Sequence, residues 1–281
     1  MQNDKPIPRS RFFSRRVSNV LALIFVCVLM AYVCSFMNNN LWHSNYFTGY
    51  LLLGSIVFLT AFNLRKKLTF LPSIGTAATW MQLHIYVGLA TFLMFGYHVA
   101  WRIPDGWLEG LLAMLYLIVA FSGVYGLVIT RVIPRRLTAI GHEVVFERIP
   151  EMRMQVANDA HQTALGSLEA SEVIAKFYLR QMLPFFERPR GLSYFLVPSG
   201  RRKRQLIAQL SDLQRYLSPE QREISHRLSG FVQQKDDLDY HRAMQGRLKI
   251  WLFFHIGFTY SLLAVSIFHT LIVHAFIGSG L

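Results

Sequence analysis

Ala78–Trp101 reads ATWMQLHIYVGLATFLMFGYHVAW, and Leu248–Ile277 reads LKIWLFFHIGFTYSLLAVSIFHTLIVHAFI. Each run exceeds the roughly 20 residues of helix that cross a bilayer. Each carries two histidines, His84 with His98 and His255 with His269, and in both cases the pair is separated by 14 residues. Fourteen steps at 100° come to about 1400°, within roughly 40° of whole turns, so each pair shares one helix face. The axial separation is about 21 Å. Ionisable side chains inside a membrane are costly and are usually kept for function.

Three further apolar runs are long enough to cross: Val17–Phe36, Tyr46–Leu64 and Trp107–Val132. The expected fold class is therefore all-α, an integral membrane bundle with five transmembrane helices. Composition agrees, since only 16% of residues are charged against about 25% in soluble domains. The net charge of +13 is gathered beside the apolar runs rather than on a soluble module, which argues for membrane topology and against nucleic acid. Contact with anionic membrane lipids is expected from the same clusters.

The leader 1–16 holds Arg9, Arg11, Arg15 and Arg16. The helix after it is too long for a signal peptide and lacks a cleavage site of small residues, so it is expected to be retained. Arg65-Lys66-Lys67, Arg131, Arg135 and Arg136 fall on the leader's side, whereas Met37–Asn45 and the carboxyl tail are uncharged. The positive-inside rule then places the amino terminus in the cytoplasm and the carboxyl terminus outside a cell inner (plasma) membrane. On that topology the third and fifth helices run parallel.

The expected divisions are a basic leader (1–16), four spans (17–133), a cytoplasmic helical insertion (134–247), and the fifth span with a short external tail (248–281). Within the insertion, Glu169–Phe186 has helical apolar spacing, ended by Pro184, Pro189 and Gly191. Ser218-Pro219-Glu220-Gln221 predicts a helix start with a Ser cap, Pro in the first turn and Gln three residues on. Gly230 and Gly246 count against one continuous helix from there into the fifth span. No nucleotide-binding glycine motif occurs. Arg201-Arg202-Lys203-Arg204 is expected to be a solvated or lipid-facing patch, with docking of an acidic partner as the alternative.

Parallel helices bring His84 level with His255, and His98 level with His269, giving two stacked sites of two imidazoles. A porphyrin supplies four equatorial nitrogens and leaves two axial positions, so a pair of histidines suffices. Zinc needs three or four protein ligands, and no cysteine or carboxylate lies at matching depth. The expectation is two bis-histidine b-type haems with His84, His98, His255 and His269 as metal ligands. With both axial positions filled, the chemistry is one-electron transfer. Cys27 and Cys34, in the first span, are read as small apolar side chains, and the absence of CxxCH excludes covalent haem attachment.

The repeated spacing His84…His98 and His255…His269 resembles that of di-haem b-type cytochromes. It is similar to the four-helix core of cytochrome b in quinol–cytochrome c oxidoreductases. It is similar too to ferric-reductase-like membrane domains, which place such pairs on their third and fifth helices. The chain differs from the reductases in lacking a sixth helix and flavin and nicotinamide domains, and from cytochrome b in its large insertion. The resemblance implies a di-haem membrane subunit of a respiratory or redox complex, partnered by other redox subunits and by a quinone-linked or cytoplasmic donor or acceptor. Two alternatives stay open: a free-standing ferric or quinone reductase, and a histidine-dependent metal or proton transporter.

Secondary candidates follow from position. Gly88, Gly96 and Gly257 lie near the histidines and serve either porphyrin approach or helix packing. Ser122, Gly123 and Gly126 suit helix–helix approach. Arg102 outside, and Arg247 and Lys249 inside, are placed to pair with haem propionates or to snorkel. His274 sits on another face as an interfacial residue or a fifth ligand. His43, His142, His161, His226 and His241 read as ordinary polar residues.

Overall fold

The computed structural model describes residues 9–39, 44–64, 76–141, 144–166 and 172–277; all regular structure in them is helical. The leader before Arg9, His43, the Arg65-Lys66-Lys67 cluster and His142 lie outside the described residues. Helices α1 (Arg9–Asn39), α2 (Ser44–Leu64), α3 (Ala77–His98), α4 (Trp107–Thr138) and α10 (Pro219–Ile277) are long and apolar enough to cross a membrane. Their outward faces are apolar. On α1, Leu21, Phe25, Val28 and Tyr32 are all more than half exposed, a stripe at helical spacing that a bilayer would cover.

Residues divide into two compact units, Met1–Leu127 with Phe253–Leu281, and Val128–Leu252. The division falls within α4 and α10, which continue past the expected boundaries at 134 and 248. Pro134 is accommodated inside α4 instead of ending it.

In the first unit the core is formed by Met30 and Cys34 of α1, Leu52 and Ile56 of α2, Ala90 and Met94 of α3, Leu115 and Tyr116 of α4, and Leu262 of α10. Cys34 is fully buried, as expected of a small apolar side chain. Two of this core's buried polar side chains are satisfied locally. Thr91 Oγ1 donates to Gly88 O at 2.7 Å, and Tyr116 Oη donates to Thr91 Oγ1 at 3.1 Å. Tyr116 also stacks on Phe95 with centroids 4.2 Å apart. An unpaired hydroxyl in that setting costs several kcal/mol, on the order of the transfer penalty of a polar group.

Helix α3 begins at Thr76, whose Oγ1 accepts from Thr79 N at 3.2 Å, and closes at His98, three residues before the expected end at Trp101. The chain then turns back. Trp101 N donates to Gly96 O at 2.9 Å, with Ala100 and Trp101 at positive φ. This is the left-handed closure common at helix ends. The indole of Trp101 lies over Gly96, where a Cβ would come within 2.6 Å of it, so a larger residue would have to displace that ring.

The second unit contains the end of α4, helices α5 (Ile149–Leu165), α6 (Glu172–Phe177), α7 (Leu183–Glu187), α8 (Leu192–Leu196) and α9 (Arg201–Leu213), and the first part of α10. The predicted helix over Glu169–Phe186 is observed from Glu172 to Glu187, with a π-helical turn at Tyr178–Met182; Glu169 lies outside the described residues. Pro184 does not end it. The wider turn, with Leu183 N bonded to Tyr178 O, absorbs a residue that has no N–H to offer the regular ladder. The capping box at the start of α10 forms in both directions: Ser218 N donates to Gln221 Oε1 at 3.1 Å, and Gln221 N to Ser218 Oγ at 3.4 Å. From there α10 runs unbroken for 59 residues through Gly230 and Gly246. Burial outweighs the cost of a helical glycine, about 1 kcal/mol. At Gly246 the absent side chain makes room for Phe195, whose Cε2 would lie 2.9 Å from a Cβ.

A hydrophobic cluster built on Tyr178, Met182, Phe185, Phe186, Leu206, Leu210, Leu228 and Val232 forms the core of this unit. Beside it lies a buried charge network. Asp239 is ion-paired with Arg153 at 3.1 Å, Arg190 at 3.4 Å and Lys235 at 2.6 Å, and Asp236 with Arg190 at 2.8 Å and Lys203 at 3.1 Å. The Arg190 guanidinium also lies over Phe185 and Tyr194, 4.9 and 4.8 Å from their centroids.

Candidate functional site

Three contacts in the first unit establish the relative direction of its helices. Asn19, early in α1, reaches Gln82, early in α3, at 3.4 Å. His98, the last residue of α3, reaches the Asn45 carbonyl at the start of α2 at 3.0 Å. Tyr50 Oη of α2 meets His274 Nε2 near the end of α10. The carboxyl ends of α3 and α10 therefore lie at the same end as the start of α2, and α3 and α10 are parallel.

That direction brings the four histidines together as two pairs. His84 and His255 are near enough to interact electrostatically, and so are His98 and His269. Among the described residues no group of three or more His, Cys, Asp and Glu side chains can hold a metal ion. A bare ion is therefore poorly served, whereas a group bringing its own equatorial donors needs only what each pair offers.

His98 and His269 line a cavity of about 620 Å³, together with Asn45, Gly49, Tyr50, Arg102 and the carboxylates Asp105 and Glu109, so that, against the expectation from sequence, carboxylates do lie at the level of this pair. The volume is within the range of about 300–1,000 Å³ that accommodates cofactors. A carbonyl can only accept, so the contact with Asn45 places the proton on His98 Nδ1. The lone pair is then on Nε2, the arrangement a ligating histidine requires. Gly49 packs against the same ring: a Cβ there would lie 2.9 Å from His98 Cε1 and 3.2 Å from Nδ1.

At the other level, His255 Nδ1 lies 3.2 Å from Ser122 Oγ, and a Cβ on Gly123 would be 3.7 Å from His255 Cε1. Ser122 thus orients an imidazole rather than serving helix approach alone. His84 packs on Phe62, with centroids 5.1 Å apart. Its Nδ1 is buried and makes no hydrogen bond among the described residues. Buried polar atoms are ordinarily hydrogen-bonded, so His84 Nδ1 stands out as a buried nitrogen with no partner among the described residues.

The remaining expected residues separate clearly. Arg102 is exposed and lines the cavity of His98 and His269. Gly88 and Gly257 face open space, while Gly96 is covered by Trp101. His274 donates from Nδ1 to Thr270 O at 2.8 Å and receives the Tyr50 hydroxyl at Nε2, so both nitrogens are engaged and neither is free to ligate. Arg247 and Lys249 belong to the second unit. Arg247 donates to the carbonyls of Phe195 and Leu196, and Lys249 pairs with Glu147. Those bonds account for both cations, and a propionate role is not needed to explain them. His241 is buried, and His161 lies against Tyr178.

Asn45, Gly49 and Ser122 had no sequence signal as orienting groups. Gly49 is one turn after Asn45 on a helix starting where α3 ends, so its depth matches His98 only once that turn is known.

No protein-family model matches the chain, and no curated protein or solved structure matches it either.

Proposed function

We propose that this chain is a di-haem cytochrome b membrane subunit of a respiratory or redox complex. It carries electrons across the membrane between a cytoplasmic or quinone-linked partner and an extracytoplasmic one. The observation that carries this reading is the pairing of four histidines at two levels on parallel helices, with no group of three or more metal-holding His, Cys, Asp and Glu side chains among the described residues.

A bis-histidine b-type haem supplies one-electron exchange at an iron with no open coordination position. The rest is the work of the chain. His84 and His255 would hold one group and His98 and His269 the other. Asn45 fixes the tautomer and direction of His98, and Ser122 orients His255. Arg102, in the cavity of the second pair, offers a cation to a propionate. The two levels are about 21 Å apart along the helix, spanning most of a hydrocarbon core of about 30 Å. Orientation follows the basic flanks, with the amino terminus cytoplasmic and the carboxyl terminus extracytoplasmic.

The experiment is a reduced-minus-oxidised spectrum and a haem-to-protein ratio on the purified full chain. Two haems per chain are expected, falling to one in His84→Ala and in His269→Ala, each variant losing a different spectral component. Full pigment in either variant, or no haem band in the parent, overturns the reading.

A further inference from the structure

A second cavity, of about 430 Å³, lies wholly within the second unit. Its lining includes the cations Arg153, Arg190, Arg242 and Lys249, with Asp239 as its carboxylate, and the apolar side chains Phe146, Phe195 and Ile250. The ionic contacts around it join Arg153, Arg190, Lys203, Lys235 and Lys249 to Asp236, Asp237, Asp239 and Glu147. With Arg242 that makes six cations against four carboxylates, so two positive charges are unmatched. Arg242 is exposed and makes no ion pair among the described residues. The cavity therefore offers an anion a site whose other cations are already held in place.

Two further observations specify the anion. Lys249 and Ile250 stand at the start of the apolar run that opens at Leu248, which is the depth of lipid headgroups. Leu192, which lines the cavity, and Leu196 and Val197 further along α8 and just after it are exposed, at 82%, 69% and 72%. Arg188 and Arg190 precede this apolar stretch and Arg201-Arg202-Lys203-Arg204 follow it. Apolar side chains projecting from a basic surface are the pattern of a segment seated in the interface of an anionic membrane. Arg202 and Lys203 are engaged inside the unit, on Gln181 O and on Asp236 and Asp237. The expected solvated patch is thus partly structural.

We propose that this cavity binds the phosphate headgroup of an anionic phospholipid, with the acyl chains running past Leu192 and Ile250. Guanidinium groups recognise a phosphodiester through paired N–H donors, and the apolar side chains suit the glycerol and first methylenes. The inference is independent of what the histidines bind.

The test uses the full chain, purified in an uncharged detergent and titrated with short-chain phosphatidylglycerol, short-chain phosphatidylcholine or inorganic phosphate, with bound lipid counted by native mass spectrometry. Phosphatidylglycerol is expected to bind and phosphatidylcholine not. Arg242→Gln should weaken phosphatidylglycerol about fivefold, the ratio for one basic residue at an anionic surface. Leu192→Ser, at an exposed position that the fold does not need, should weaken it as well. Equal binding of the two lipids, or affinity unchanged in both variants, overturns the proposal. So does tight inorganic phosphate binding indifferent to Leu192→Ser, which would make the cavity a free-phosphate site.

Discussion

Gly49→Ala adds one methyl group beside His98, and the structure gives the size of the conflict. The new Cβ would lie 2.9 Å from His98 Cε1, where carbon atoms prefer about 3.5–4.0 Å. The ring must retreat by roughly 0.5–1 Å, away from the Asn45 carbonyl that now accepts at 3.0 Å. Losing that hydrogen bond costs about 0.5–1.5 kcal/mol. Replacing a helical glycine by alanine returns about 1 kcal/mol. These nearly cancel, so the fold should survive with its melting temperature little changed. Cofactor retention should not survive so well, because a free imidazole can swing aside and a ligating one cannot. Loss of an outer-shell partner weakens metal binding about 10–100-fold, equivalent to about 1.4–2.7 kcal/mol. The assay is haem content by pyridine haemochrome, followed by transfer of haem to a competing apoprotein. On the proposed di-haem reading, the haem held by His98 and His269 should leave 10–100 times more readily, and the one held by His84 and His255 should stay. Gly54→Ala is the control on the same helix, since a Cβ there meets nothing within 4 Å; it should keep both haems. If Gly49→Ala kept both with parental retention and spectrum, the placement of His98 as an oriented ligand would be wrong.

Two further outcomes concern the second unit. Asp239, its side chain 2% exposed, is shared by Arg153, Arg190 and Lys235. Asp239→Asn leaves those buried cations short of charge and should cost about 3–5 kcal/mol, read as a lowered unfolding midpoint of the full chain with haem content at the outset unchanged. Glu147 is held below the ordinary glutamate range, first by its hydrogen bond from Lys249 and then by the backbone N–H of Glu147 itself. A carboxyl depressed in the folded state contributes stability above its unfolded value and loses it as pH falls through the folded one. Protection from hydrogen exchange at Phe146–Arg148, measured against the intrinsic rate at each pH, should therefore fall only in that acid window, and Glu147→Gln should abolish the dependence.

Much of the architecture was legible from local pattern. Span length, the capping box at Ser218 and the 14-residue histidine spacing each depend on residues within one helix, where geometry follows from rise and twist alone. Helix ends were less legible. Trp101 reads as a continuation of an apolar run, yet its N–H closes back on Gly96, a choice made by packing against the indole. Pro184 reads as a terminator, yet a π turn before it keeps the helix going, because burial of Tyr178, Met182 and Phe185 outweighs one missing hydrogen bond.

The partners of His98 and His255 lie beyond what any local pattern contains. Asn45 is 53 residues from His98, and Ser122 is 133 from His255. Such pairs are set by helix direction and depth, which are properties of the packed bundle. The same holds for Arg247 and Lys249: by sequence they stand at a membrane edge, and the folded insertion engages them instead. Sequence alone determined that five helices can cross a membrane and that two of them carry matched imidazoles. Only tertiary packing decided which nitrogen of His98 is free, because hydrogen-bond partners are chosen by proximity in space and not along the chain.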